Sequence, residues 1–128
     1  MHTSAVRIVG VCAISATLAL SAAACGSANK KAACDKLQKT ITDVSQKGMT
    51  QISDPSGLAD TYANGAKTMR QQGKDSGDDK VEKAANDAAS AFDSLGQQMK
   101  SLSSGGTPSM PNTGPLISAG TELKSACG

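Results

Sequence analysis

Apolar residues recur at steps of three and four along four separate segments of this chain, and that spacing predicts four amphipathic α-helices. The third segment is the most regular, running without a break from Val81 to Leu102. No segment alternates apolar and polar residues with β-branched side chains, so strands are not predicted. The apolar positions of the four segments are Cys34, Leu37, Ile41, Val44 and Gly48; Leu58, Tyr62, Gly65, Ala66 and Met69; Val81, Ala85, Ala88, Phe92, Leu95, Met99 and Leu102; and Leu116, Gly120, Leu123 and Cys127.

Residues between these segments have the chemistry of helix ends. Asp54-Pro55 supplies a capping carboxylate followed by a proline suited to the first helical position. Asp75, Ser76 and Asp78 precede the third segment and offer a cap and negative charge at the start of its helix. Gly73 is predicted to end the second helix, and Gly114-Pro115 to open the fourth.

The connection between the third and fourth helices, residues 103–113, is rich in Gly, Ser and Pro and is predicted to be a loop. Met110 and Pro111 are the apolar residues of this otherwise polar segment. Long loops in small domains are often functional. Met110 and Pro111 are therefore candidate contacts for a protein partner.

The first 24 residues have the pattern of a secretory signal peptide. Arg7 precedes an apolar run of 13 residues from Ile8 to Leu20, and small residues follow from Ser21 to Ala24. The run is shorter than the about 20 residues that a membrane-spanning helix needs. We therefore predict that residues 1–24 are removed on export.

The segment Leu20-Ser21-Ala22-Ala23-Ala24-Cys25 resembles the lipobox of bacterial lipoproteins, and the alanine-rich signal is similar to those of small actinobacterial lipoproteins. The resemblance implies fatty acyl chains such as palmitate on Cys25, and a lipid anchor on the extracytoplasmic face of the cell membrane. Ala22 stands where that family usually has leucine. Because Ala22-Ala23-Ala24 also fits the ordinary signal peptidase, secretion without lipid is the alternative.

The remaining cysteines predict the topology. Cys12 lies within the signal, and acylation of Cys25 leaves Cys34 and Cys127 as a pair in a compartment that permits disulfides. An even number of antiparallel helices brings the start of the first and the end of the fourth to the same pole, within reach of a disulfide. We therefore predict an all-α, up-down-up-down four-helix bundle closed by one disulfide. Residues 25–33 would form a lipidated tether and residues 34–128 the helical domain.

Composition limits the function. Without residues 1–24 the chain keeps 12 basic and 11 acidic residues, loses its single histidine, and has Tyr62 and Phe92 as its only aromatic residues. The lack of histidine excludes imidazole-dependent triads and imidazole metal sites, so no catalytic residue, metal or cofactor is predicted. The near-neutral charge and the shortage of aromatic residues argue against nucleic acid as a partner.

The sequence thus leads us to expect a monomeric, non-catalytic binding or interaction module at the bacterial cell envelope. Its partners would be the membrane, through the lipid anchor, and an envelope protein. Lys30 and Lys31, close after Cys25, could also contact anionic headgroups. One alternative is a carrier that holds a small apolar ligand between the helices of the bundle. Another is an enzyme that uses exposed carboxylates.

Overall fold

The computed structural model describes residues 18–107 and 110–128, with side chains from Ala28 onward, and these residues form four α-helices. Helix α2 packs along α3, α1 packs on α2, and α4 packs on α3, whereas α1 meets α3 and α4 at only a few positions. The predicted up-down-up-down four-helix bundle is confirmed. The helices are α1 (Leu18–Thr50), α2 (Pro55–Asp75), α3 (Asp79–Ser103) and α4 (Gly114–Cys127).

The predicted apolar stripes form the core. Leu37, Met69 and Val81 have no exposed surface, and Phe92 is 2% exposed. The ring of Phe92 stacks on that of Tyr62, with centroids 5.8 Å apart. Aromatic pairs at this separation stabilise a fold beyond the area they bury. These large side chains occupy the space between the helices, where the many alanines of α3 let α2 approach closely.

Helix starts follow the predicted capping chemistry. The Asp54 carboxylate accepts a hydrogen bond from the backbone N–H of Gly57 at 3.0 Å, and Pro55 begins α2. The Asp78 carboxylate accepts hydrogen bonds from the backbone N–H groups of Lys80 and Val81, both at 3.0 Å. Each carboxylate satisfies N–H groups that have no partner within the helix.

The predicted end of α2 at Gly73 is wrong, since α2 continues to Asp75. Gly73 is buried instead, and a Cβ there would lie 2.7 Å from the Cβ of Ala85. The turn to α3 is made by Ser76 and by Gly77, whose φ of 64° is accessible at little cost only to glycine. Gly73 allows α2 and α3 to pack closely, and Gly77 makes the turn.

Helix α1 begins earlier than predicted. Cys34 was expected near its start, but the helix runs continuously from Leu18. The alanine-rich segment before Cys34 contains no proline, and alanine has the highest helix propensity of all residues. Residues 28–33, assigned by the sequence to a tether, lie within this helix, where Ala33 is buried.

The bundle has two distinct poles. The disulfide pole holds the Cys34–Cys127 disulfide, whose Cα atoms are 5.8 Å apart, and the turn between α2 and α3. The loop pole holds the turn 51–54 and the connection 104–113, within which Pro108 and Ser109 lie outside the described residues. The 25 residues of α3 separate the poles by about 38 Å. The predicted disulfide and the predicted position of the long loop opposite it are both present.

Candidate functional site

The open face of the bundle lies between α1 and α4. Three of the four neighbouring helix pairs pack along their lengths, but α1 and α4 meet at few positions and are joined by the disulfide. A groove of about 820 Å³ lies along this face, and we call it the α1–α4 groove. Its volume falls in the range of small-molecule sites. The groove is lined by Lys30, Lys31, Cys34, Asp35, Gln38, Ile41, Gly120, Leu123, Lys124 and Cys127.

The floor of the groove is apolar. Ile41 and the largely buried Leu123 line it together with the disulfide, and Ile41 and Leu123 both belong to the predicted stripes. Gly120 opens the floor further, because a Cβ at this position would meet no atom within 4 Å. Gly120 belongs to a predicted apolar stripe whose Leu123 is buried, and the open space at position 120 was not predicted.

The rim of the groove is basic. Lys30, Lys31 and Lys124 line it together with a single carboxylate, that of Asp35. Lys30 pairs with Asp78 at 3.3 Å and Lys31 with Asp35 at 3.1 Å. The ion pairs among the described residues do not include Lys124. The rim therefore carries a net positive charge.

The Lys30–Asp78 pair links α1 to the start of α3. The hydrogen bond from the backbone N–H of Val81 lowers the pKa of Asp78 below its usual value of 3.8, and Lys30 lowers that pKa further. Asp78 therefore stays ionised over the neutral and mildly acidic range. Lys30 is held by this pair at the end of the groove nearest the disulfide pole.

A second charged cluster lies on the seam between α3 and α4. Lys83 pairs with Asp87 at 2.6 Å and with Glu122 at 3.7 Å. The hydrogen bond with Asp87 raises the pKa of Lys83, and the same bond lowers the pKa of Asp87. All three side chains are solvated, and their arrangement is that of a surface ion-pair network. Asp87 and Glu122 also line an open pocket of about 350 Å³ between α3 and α4, together with Ser90, Ser94 and Ser118.

The loop pole concentrates exposed apolar side chains. Met110 is 94% exposed, as predicted for a loop residue that does not join the core, and Pro111 beside it is also exposed. Met49, Ile52 and Ile117 are exposed by 74%, 75% and 68%. These three residues were not predicted as candidate contacts. Met49 and Ile117 could have been found, since each is an apolar residue off the stripe of its own segment, and Ile52 lies in the turn between α1 and α2.

Two kinds of site are absent from the described part of the chain. Within residues 18–107 and 110–128, no three His, Cys, Asp or Glu residues come together as a metal site would require. The helices found there include none with the length and apolar character needed to cross a membrane. Cys25 lies within α1, but its side chain and most of the predicted signal peptide are outside the described residues.

Comparisons with models of protein families, with curated proteins and with solved structures find no match for this chain. The function is therefore inferred from the residues themselves and from their positions in the bundle.

Proposed function

We propose that this chain is a lipid-anchored, extracytoplasmic and non-catalytic interaction module of the bacterial cell envelope, which binds a protein partner through its loop pole. The observation that carries the proposal is the distribution of exposed apolar residues. Every large hydrophobic side chain exposed among the described residues lies at that pole: Met49, Ile52, Met110 and Ile117. Exposed apolar side chains that gather at one end of a molecule favour an interaction site there.

The position of Cys25 supports the same orientation. Cys25 precedes Cys34 by nine residues, about 14 Å of helix, on the side of the disulfide pole away from the bundle. Acyl chains on Cys25 would hold the disulfide pole towards the membrane. The loop pole would then point away from the bilayer, where an envelope protein can reach it.

A carrier with its ligand inside the bundle has less support. The interior positions are filled by Leu37, Met69, Val81 and Phe92, which are at most 2% exposed. An enzyme also has less support, because Asp87 and Glu122, which line one open surface pocket, are both solvated and paired with Lys83. An interaction module needs neither a cavity nor a reactive group.

The anchoring part of the proposal is tested by Cys25→Ser in the native cell. We expect the variant to accumulate as precursor or to leave the membrane fraction, because stable anchoring needs more than one hydrophobic chain. Cys12→Ser, the same substitution within the predicted signal, is the matched control and should be processed and anchored normally. Fractionation and incorporation of an alkyne-tagged palmitate report the two outcomes. A Cys25→Ser protein that is fully processed and still membrane-bound would contradict the lipid anchor.

The partner-binding part is tested by site-specific photo-crosslinking in intact envelopes. A photoreactive residue replaces Ile52 or Met110 at the loop pole, or Lys67, which is exposed on α2 away from that pole. We expect a discrete protein adduct from positions 52 and 110 and none from position 67. The adduct from position 110 should disappear when Met49 and Ile52 are changed to serine. Equal labelling from all three positions, or no adduct at all, would overturn the assignment of the loop pole.

A further inference from the structure

We propose that the α1–α4 groove binds the hydrocarbon chain of a long-chain fatty acid, with the carboxylate held by the lysines of the groove rim. This site is separate from the loop pole and does not depend on a protein partner. The inference rests on three features of the groove: its apolar floor, the charge of its rim, and the order of these features along the helices.

The apolar floor suits a hydrocarbon chain. Ile41, Leu123 and the disulfide present apolar surface to an opening of about 820 Å³, and Gly120 leaves room where any other residue would place a side chain. Lys30 and Ile41 mark the two ends of the α1 wall, 11 residues or about 16 Å apart. Burial of a flexible apolar chain along such a wall is favoured by the hydrophobic effect.

The charge of the rim selects an anion. Lys30, Lys31 and Lys124 stand against two carboxylates, that of Asp35 in the lining and that of Asp78, which pairs with Lys30, so the rim keeps one net positive charge. Lys31 and Asp35 form a solvated pair, with side chains exposed by 78% and 69%, and solvated pairs of this kind are weak. Lys31 and Lys124 are therefore the two ammonium groups that an incoming carboxylate can engage.

The two lysines of α1 lie at one end of the groove, and apolar surface continues from there towards the other end. Lys30 and Lys31 lie at the disulfide pole, Lys124 lies one helical turn before Cys127, and Ile41 and Gly120 lie further towards the loop pole. A ligand with a charged head and one apolar tail matches this order. A single chain fits better than a two-chain lipid, because the lining residues form one cleft between two helices.

The test uses the full protein in its native membranes and a diazirine-bearing palmitate as the probe. After irradiation and digestion, we expect adducts on groove peptides that contain Ile41 or Leu123. An amine probe with the same chain and the same diazirine partitions into the bilayer but carries the opposite charge. It should need a much higher concentration for half-maximal labelling of these peptides. Equal labelling by the two probes would show that the groove does not recognise a carboxylate.

Two sets of variants separate groove binding from unspecific labelling. Gly120→Phe fills the open floor and should abolish the groove adducts, whereas Gly120→Ala keeps the floor open and should retain them. Because a Cβ at Gly120 meets no atom within 4 Å, Gly120→Ala leaves the packing unchanged, and unchanged circular dichroism will verify the fold of both variants.

The second set removes charge at the rim. Lys31→Gln with Lys124→Gln should raise the half-maximal probe concentration by about fivefold for each lysine removed. The matched control, Lys67→Gln with Lys100→Gln, removes the same charge from exposed positions outside the groove and should change little. Labelling unaffected by Gly120→Phe and by loss of the rim lysines, or labelling located at the loop pole, would overturn the proposal. Stronger labelling by a diazirine-bearing phosphatidylglycerol than by the fatty acid would also overturn it, in favour of a membrane phospholipid.

Discussion

Two helical glycines, Gly73 and Gly120, have opposite surroundings. A Cβ at Gly73 would lie 2.7 Å from the Cβ of Ala85 and 3.2 Å from the backbone Cα of Glu82. A Cβ at Gly120 would meet nothing within 4 Å. Intrinsic propensity favours alanine over glycine at both positions, so any difference between the two substitutions reports packing alone.

We predict that Gly120→Ala raises the free energy of unfolding by up to about 1 kcal/mol, through the helix propensity of alanine. Gly73→Ala should lower it, because α2 and α3 must separate to relieve a contact that includes backbone atoms. Urea unfolding followed by circular dichroism, with the disulfide intact, measures both effects. Two changes of the same sign would contradict the packing difference described above.

The sequence predicted which residues face the core but not how closely the helix backbones approach one another. Gly65 lies on the predicted second stripe, where the low helix propensity of glycine predicts only a loss of helix stability. In the structure a Cβ at Gly65 would lie 2.6 Å from Val44 Cγ2, and one at Gly96 would lie 3.2 Å from the carbonyl oxygen of Ala59. Spacing along a chain identifies a helix face, whereas the distance between two faces depends on all the side chains that separate them. The exposed floor of the groove at Gly120 was missed for the same reason.

The start of α3 is joined to α1 through the side chain of Asp78. Asp78 caps its first turn through the backbone N–H groups of Lys80 and Val81 and also pairs with Lys30 of α1. Asn caps helices about as well as Asp, but it cannot form the ion pair. The substitution Asp78→Asn therefore separates the two roles of this side chain.

We predict that Asp78→Asn lowers the melting temperature at pH 6 and that this difference shrinks as the pH falls below about 3.8. The pKa of Asp78 is lowered in the folded protein, first by the hydrogen bond from Val81, so ionised Asp78 contributes its full stability above the unfolded pKa. That contribution is lost as the pH falls through the folded pKa. Asp79→Asn removes the same charge from a residue that joins no ion pair among the described residues, and its difference from the parent should vary less with pH. Parallel pH profiles for the parent and Asp78→Asn would contradict the prediction.

Helix ends differed in how well the sequence predicted them. The starts of α2 and α4 were correct, because Asp54-Pro55 and Gly114-Pro115 are local signals that act on adjacent backbone. The start of α1 and the end of α2 were predicted wrongly. The alanine-rich segment before Cys34 contains no residue that would prevent a helix. Gly73 resembles a helix-ending glycine in the sequence, but in the structure it allows close contact between α2 and α3. Boundaries set by neighbours in sequence are predictable, and those set by neighbours in space are not.

At the scale of the whole molecule, α4 has two attachments to the rest of the bundle. It packs along α3, mainly through Ala119 and Leu123, and it is tied to α1 by the Cys34–Cys127 disulfide. The contact between α1 and α4 is otherwise sparse, and the α1–α4 groove lies there. We therefore expect the disulfide to affect both the stability of the fold and the width of the groove.

We predict that reduction of the disulfide lowers the free energy of unfolding by about 2–5 kcal/mol, since the bridge spans 93 residues and constrains the unfolded chain strongly. The loss of stability should differ among the four helices. Amide hydrogen exchange should increase most in α4, which keeps only its contact with α3, and least in α2 and α3, which pack along each other. Mass spectrometry of hydrogen exchange with and without reductant measures this pattern. The Cys34→Ala/Cys127→Ala variant is the control, because it has no disulfide and reductant should not change its exchange. An equal increase in all four helices would mean that the α1–α4 face is held by contacts other than the disulfide, and that the groove does not open when the bridge is lost.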